Sequence, residues 1–199
     1  MATQILIMVL LVLLSAFFSA TETAFSSLNK TRLKSMSENG NRKAERALRL
    51  AENYDELLST ILIGNNIVNI GLASIATIFF VDLLGGGAGP SVSTIVTTVV
   101  VLIFGEISPK SMAKESPESF AMAVSGIISA LTKVFKPINW LFSKWKALLS
   151  KLFKVKDDRR LTQDELITLV EEVEQEGGMD ADDSDLVRSA IECHDQEVA

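Results

Sequence analysis

The stretch L-L-S-T-I-L-I-G-N-N-I-V-N-I-G-L-A-S-I-A-T-I-F-F-V-D-L-L, residues 57–84, decides the fold. It exceeds the roughly 20 mostly apolar residues that a bilayer-crossing helix needs. Yet Gly64, Asn65, Asn66 and Asn69 lie inside it. Asparagines are expensive in lipid unless they bond between helices or line a site. Asn65 and Asn69, one helical turn apart, share a face, and Asn66 lies about 100° round from Asn65. Gly64 and Gly71 permit close helix approach or a local unwinding that releases carbonyl oxygens.

Two further segments flank this one. Residues 4–28 supply a first span, and its leading M-A-T-Q lacks the basic residues of a cleaved signal peptide. After the loop G-G-G-A-G-P (85–90), the β-branched run 91–108 supplies a third. The chain is 199 residues long and 48% hydrophobic, too oily for an ordinary soluble domain. Residues 1–156 hold 16 Lys and Arg against 10 Asp and Glu, residues 157–199 only 3 against 15, giving the net charge of −6. A membrane part with basic flanks joined to an acidic tail fits that asymmetry. No basic face spans the chain, so a nucleic-acid partner is not expected.

Lys30, Arg32, Lys34, Arg42, Lys43, Arg46 and Arg49 crowd the loop between the first two spans, whereas the glycine-rich loop carries none. By the positive-inside bias, the N-terminus faces out and the C-terminus lies in the cytoplasm. The expected location is the inner or plasma membrane, crossed several times.

The expected architecture is an all-α membrane protein. Residues 1–137 form a transmembrane domain, with an amphipathic helix over 36–56 and an in-plane or bent helix over 117–136 on the cytoplasmic side. Residues 138–156 form a juxtamembrane amphipathic helix, where Trp140 and Trp145 alternate with Lys144 and Lys146 as interfacial helices require. Residues 157–199 form a small acidic helical bundle. Its first helix, 161–176, opens on a Thr162/Glu165 capping box, and its second covers 180–192. The run D-A-D-D-S-D (180–185) lacks the glycine and the final carboxylate of a calcium loop and reads as helix capping.

The third span ends in I-F-G-E-I-S-P-K, residues 103–110, with a carboxylate at a hydrocarbon edge. Pro109 has no N–H for the carbonyl of Gly105 and clashes with it, so that oxygen is expected to turn outward beside Glu106. In the first span Ser15, Ser19, Glu22 and Ser26 fall on one helical face. Ser hydroxyls, Asn amide oxygens, a carbonyl and one carboxylate make an all-oxygen donor set, suited to Mg²⁺ with Na⁺ as competitor. Two other readings stay open. Glu106 could be an interfacial carboxylate paired with Lys110 four residues on, and the serines and asparagines could serve as interhelical glue. Cys193 and His194 are the only cysteine and histidine. No nucleophile–base pair appears among the spans, so the chain is read as not an enzyme.

S-A-F-F-S-A-T-E-T-A-F-S-S-L, L-L-S-T-I-L-I-G-N-N-I-V-N-I and I-F-G-E-I-S-P-K, in this order and spacing, resemble the CNNM/CorC family of membrane magnesium transporters and its DUF21 transmembrane domain. The resemblance covers nearly the whole chain. It implies a homodimer with three transmembrane helices per protomer, a bent cytoplasmic-side helix and a juxtamembrane helix. It also implies a Mg²⁺ site in each protomer and export of Mg²⁺ coupled to Na⁺ entry. Carried over residue by residue, the ligands are Ser19, Asn65, Asn69, Glu106 and the Gly105 carbonyl, with Ser15 next and Glu22, Asn66 and Ser26 behind. Gly64, Pro109 and Lys110 match as shape, gating and charge. Family members continue into paired CBS domains that bind ATP; this chain is expected to stop where the first would begin, at H-D-Q-E-V-A (194–199). The rival to a transporter is a membrane Mg²⁺ sensor that moves no ion and acts on partners through its tail.

Overall fold

The computed structural model describes residues 1–152 and, beyond them, positions 167, 170, 180, 183–187 and 189. Every regular element among the described residues is helical. Two compact units divide the chain, Met1–Ala147 and Leu148–Ala199. In the second, residues 183–187 are helical and the Ser184 N–H donates to the Asp180 carbonyl at 3.0 Å, within the helix expected over 180–192. The Thr162/Glu165 capping box, Cys193 and His194 lie outside the described residues.

Helix α1, Ala2–Ser27, is about 39 Å long at 1.5 Å per residue, enough to cross the roughly 30 Å hydrocarbon layer. Its polarity is arranged for lipid. Leu6, Leu10 and Leu13 are exposed, while Ser15, Ser19, Thr21 and Thr23 are buried. In a bilayer the leucines meet acyl chains and the hydroxyls must find partners within the protein.

The basic loop folds as two helices, not as the single one expected over 36–56. Helix α2 is Lys30–Glu38 and α3 is Arg42–Glu52. Between them Gly40 takes a φ of +86°, a left-handed conformation that favours glycine. Asn41 then caps α3, its Oδ1 accepting from the Lys43 and Ala44 N–H groups at 3.0 and 3.2 Å. The buried face of α3 is Ala44, Ala47 and Ala51, with Leu48 partly buried beside them.

Helix α4, Tyr54–Val100, contains a non-helical Gly85 with φ 80° and ψ 169°. Straight, the apolar run Tyr54–Glu115 would be about 93 Å long, three bilayer cores. It instead folds back into two antiparallel arms, 54–84 and 86–115. Gly89 lies against the backbone of Phe80 and Val81, and the Thr77 and Ser93 hydroxyls are 3.4 Å apart. These arms contain the two apolar segments, 57–84 and 91–108, read from sequence as the second and third spans. The hinge is Gly85 alone, however, because residues 86–90 already belong to the returning helix.

That returning arm is not broken at Pro109. It widens into a π-helix over Val101–Ile107 and resumes as α5, Ser108–Glu115, with Pro109 in the first turn. A proline is tolerated in a first turn, where its missing N–H has no α-helical partner to lose. Wider turns upstream accommodate its ring, and the bond from the Ser108 N–H to the Ile103 carbonyl is of that wider, i→i−5 kind.

Helix α6, Pro117–Leu152, runs through Pro137 without a boundary, so the expected division at 137/138 falls inside one helix. Its stretch Pro117–Phe142 is long and apolar enough to cross a membrane. It nevertheless packs along the basic helices. Ala121, Val124 and Ile128 join Leu33, Ala44, Ala47 and Ala51 in one core cluster. The Asn139 amide donates to the Thr60 hydroxyl at 3.0 Å.

At the start of α6, the buried Glu118 ties this layer to the corner after α1. One carboxylate oxygen accepts the Asn29 backbone N–H at 3.1 Å, and the other lies 3.6 Å from the Arg32 guanidinium. The Arg32 side chain is 66% exposed, so solvent weakens that pair and the backbone bond carries most of the tie. Glu118→Ala is expected to destabilise the fold by about 2 kcal/mol, the cost of orphaning a buried N–H bonded to a charge. Arg32→Ala should shift the melting temperature far less. Equal shifts in the two melting curves would show the ion pair to be the stronger link.

Candidate metal site

The site is built where α1, the first arm of α4 and the π segment meet. Gly64 lets α1 close onto α4: a side chain there would collide with the Phe18 ring. Phe18 is buried and stacks edge-on against Phe17. With the helices this close, Ser15 reaches both neighbours. Its hydroxyl donates to Asn65 Oδ1 at 3.3 Å. It also crowds Gly105, where a Cβ would lie 3.1 Å from Ser15 Oγ. The sequence-predicted Ser15, Asn65 and Gly105 therefore converge on one point from three segments.

Asn69, one turn along, donates through Nδ2 to the same Asn65 Oδ1 at 3.3 Å. Both bonds to that oxygen are at the long end of the useful range and are weak. Two buried oxygens, Asn69 Oδ1 and Ser19 Oγ, have no hydrogen-bond partner among the described residues. Leaving such an atom unpaired costs about 1–3 kcal/mol. A buried amide oxygen and a hydroxyl are what a hard cation ligates.

Glu106 is half-buried and, with Asn69, Thr97, Thr98, Val101 and Leu102, lines a cleft of about 260 Å³. Among the described residues it has no ion-pair partner. Lys110 turns instead to Glu22, Nζ to Oε2 at 3.4 Å. The Glu106–Lys110 pairing considered from sequence assumes α-helical geometry, in which residues four apart are superposed. The π segment widens the turn, so that superposition fails at Glu106. π segments occur frequently at functional sites for this reason: they re-aim side chains that an α-helix would place elsewhere.

The remaining sequence candidates lie apart from this cluster. Asn66 is exposed, and its amide donates to its own helix at the Leu62 carbonyl, 2.9 Å away. Ser26 is exposed and bonded to the Thr23 carbonyl at 3.0 Å. Glu22 is engaged by Lys110. Thr97 and Thr98, which the sequence reading did not single out, also line the cleft; their one signal is a position about two turns before Glu106. No cluster of three His, Cys, Asp or Glu exists among the described residues. A cation held here would therefore meet one carboxylate and otherwise neutral oxygens.

Substitution tests this arrangement. Asn65→Ala and Asn69→Ala are each expected to weaken Mg²⁺ binding about tenfold, and Asn66→Ala to leave it within twofold. Calorimetric titration reads the order, and a larger effect at Asn66 would put the site on the other helix face.

Long apolar helices with exposed leucines, and hydroxyls and amides turned inward between them, define a polytopic all-α membrane protein. The chain matches the Cyclin M transmembrane N-terminal domain, CNNM, over residues 6–183, and it belongs to that family. It is 39% identical over 175 residues to a UPF0053 protein of Haemophilus influenzae, covering 86% of this chain and 41% of that one. It is 38% identical over 163 residues to the UPF0053 inner membrane protein YfjD of Escherichia coli, covering 80% and 38%. A polyamine export protein of Haemophilus influenzae is 29% identical over 182 residues, covering 84% and 42%. The chain thus spans about two fifths of the length of these relatives.

Proposed function

We propose that this chain is the membrane core of a Mg²⁺ transporter, and that Mg²⁺ leaves the cell through it in exchange for Na⁺. The observation that carries this reading is the buried Asn69 Oδ1, without a hydrogen-bond partner among the described residues, in a cleft whose one carboxylate, Glu106, has no ion-pair partner among them either; Ser19 Oγ, one helical turn from Ser15, is likewise without a partner among them. Ser15, Asn65 and the Gly105 carbonyl complete an oxygen-only donor set.

One carboxylate against a doubly charged ion suits transport rather than storage. Binding must be favourable enough to admit the ion and weak enough to release it. Mg²⁺ dehydrates reluctantly and keeps several waters, which the 260 Å³ cleft has room to hold. When Mg²⁺ departs, Na⁺ or a proton would balance the Glu106 charge. The π segment, whose turns already depart from the α-helical ladder, would be the element that shifts as the site opens alternately to each side. The acting unit would be a homodimer with CBS domains following, the N-terminus outside and the C-terminus in the cytoplasm. The first 20 or so residues of α6 would lie along the membrane surface rather than cross it, because their partners are the basic helices α2 and α3.

Liposomes loaded with a Mg²⁺-sensitive dye test the reading. Purified protein should move Mg²⁺ down its gradient, faster with an opposing Na⁺ gradient. Binding without flux under any gradient would instead support a sensor. Flux of spermidine but not Mg²⁺ would assign the chain to polyamine export, as named for the more distant relative.

A further inference from the structure

A second cavity, of about 450 Å³, lies between α3, the start of α4 and α6, away from the Glu106 cleft. Its walls carry three cations, Arg46, Arg49 and Lys133, and the Ser129 and Thr132 hydroxyls, against a single carboxylate, Glu56. Arg49 is partly spoken for, being paired with Glu45 at 2.8 Å. Arg46 and Lys133 have no carboxylate within ion-pair distance among the described residues. The opposite wall is open because of Gly126, whose absent Cβ would sit 3.8 Å from Arg46 Nη1. The cavity is thus a cationic recess with a hydroxyl donor at Ser129, made by two basic elements that meet across a glycine.

Its height on the molecule identifies the ligand. Leu57, the first residue of the hydrocarbon-length arm, lines the cavity together with Glu56 just before it. The recess therefore lies at the polar end of that arm, the level at which a spanning segment would pass from acyl chains to headgroups. Farther along α6, Trp140 and Trp145 are exposed and the Lys144 ammonium lies 5.8 Å from the Trp140 ring centre, the pairing of aromatic and cation that sits at that boundary. Basic pockets at this level bind lipid phosphates, since a guanidinium and an ammonium meet the phosphate oxygens while the glycerol backbone stays in the membrane.

We propose that this recess binds the phosphate of an anionic phospholipid, with Arg46 and Lys133 as the charge partners and Ser129 as a hydroxyl donor; the Thr132 hydroxyl, which donates to the Ile128 carbonyl at 2.9 Å, lines the wall only. A bound lipid would bridge α3 to α6 and fix the basic layer against the membrane. The proposal is independent of the ion carried, since none of these residues belongs to the Glu106 cleft.

The test uses the full chain in neutral detergent, titrated by calorimetry with dioctanoyl phosphatidylglycerol, dioctanoyl phosphatidylcholine and inorganic phosphate. Phosphatidylglycerol should bind at least about tenfold tighter than either of the others. Arg46→Gln with Lys133→Gln should remove that preference. Gly126→Leu, which fills the recess without changing any charge, should remove it as well, with circular dichroism showing both variants helical. Lys30→Gln with Lys34→Gln, exposed cations on α2, should leave it unchanged. Loss of the preference in that α2 variant, or its survival in Gly126→Leu, would overturn the pocket in favour of a diffuse basic surface. Inorganic phosphate binding as tightly as the lipid would overturn the lipid and leave a soluble phosphate as the ligand.

Discussion

Glu106→Gln is expected to abolish measurable Mg²⁺ binding while leaving the protein folded. The substitution keeps side-chain shape and removes one unit charge. At about 4 Å and an effective dielectric near 20, a unit charge contributes roughly 4 kcal/mol per cation charge, on the order of a thousandfold in affinity. The neutral donors, Ser19, Asn65, Asn69 and the Gly105 carbonyl, cannot replace that attraction. The fold should survive because Glu106 supports nothing structural: Lys110 is held by Glu22, and among the described residues no ion pair reaches Glu106. Titration calorimetry reads the binding, and a thermal melt followed by circular dichroism reads the fold. Retention of wild-type affinity in a well-folded variant would remove Glu106 from the site. A counter-test is Lys110→Gln, which frees Glu22 but leaves the cleft lining intact; its Mg²⁺ affinity should change by less than about threefold.

Much of this was legible because membrane helices announce themselves by length and apolarity, and because their polar residues are rare enough to point at one another. Ser15, Asn65 and Gly105 were each readable as costly or exceptional inside hydrocarbon, and they do converge. Helical spacing also separated Asn66 from Asn65 and Asn69 correctly, since it depends only on the 100° step of an α-helix. The failures share one cause: they turn on backbone geometry that hydropathy does not encode. Pro109 reads as a break, and only the structure shows its strain absorbed upstream as a π segment. The same widening takes Glu106 out of i,i+4 register with Lys110, the alternative pairing that the sequence left open. The helix expected over 36–56 ran through Asn39-Gly40-Asn41, where Gly40 takes a left-handed conformation and the chain turns. Pro137 was taken as a boundary, yet the helix continues through it. Interior prolines of that kind are tolerated where neighbouring helices hold the segment.

The largest loss of stability is expected at Gly89. The second and third spans stay together because Gly89 has no side chain. A Cβ there would lie 2.7 Å from the Val81 Cα, 2.8 Å from the Phe80 carbonyl oxygen and 2.9 Å from the Val81 nitrogen. These are backbone atoms of the facing arm and cannot rotate away as a side chain would. Gly89→Ala must therefore push the arms apart, at a cost of about 1–3 kcal/mol for overpacking. The displacement would not stay local. Thr77 and Ser93, 3.4 Å apart, lie one turn farther along the same seam, and Asn69 and Thr97 both line the cleft beyond them. Mg²⁺ affinity should consequently fall with the melting temperature, although Gly89 touches no ligand. Gly87→Ala is the control. It sits in the same helical turn with open space around its missing Cβ. Losing a helical glycine there should raise stability by about 0.5–1 kcal/mol. Opposite shifts at two glycines two residues apart would locate the effect in the close contact rather than in glycine content. Matching shifts would mean that the hairpin is held by its hinge at Gly85 and not by the seam.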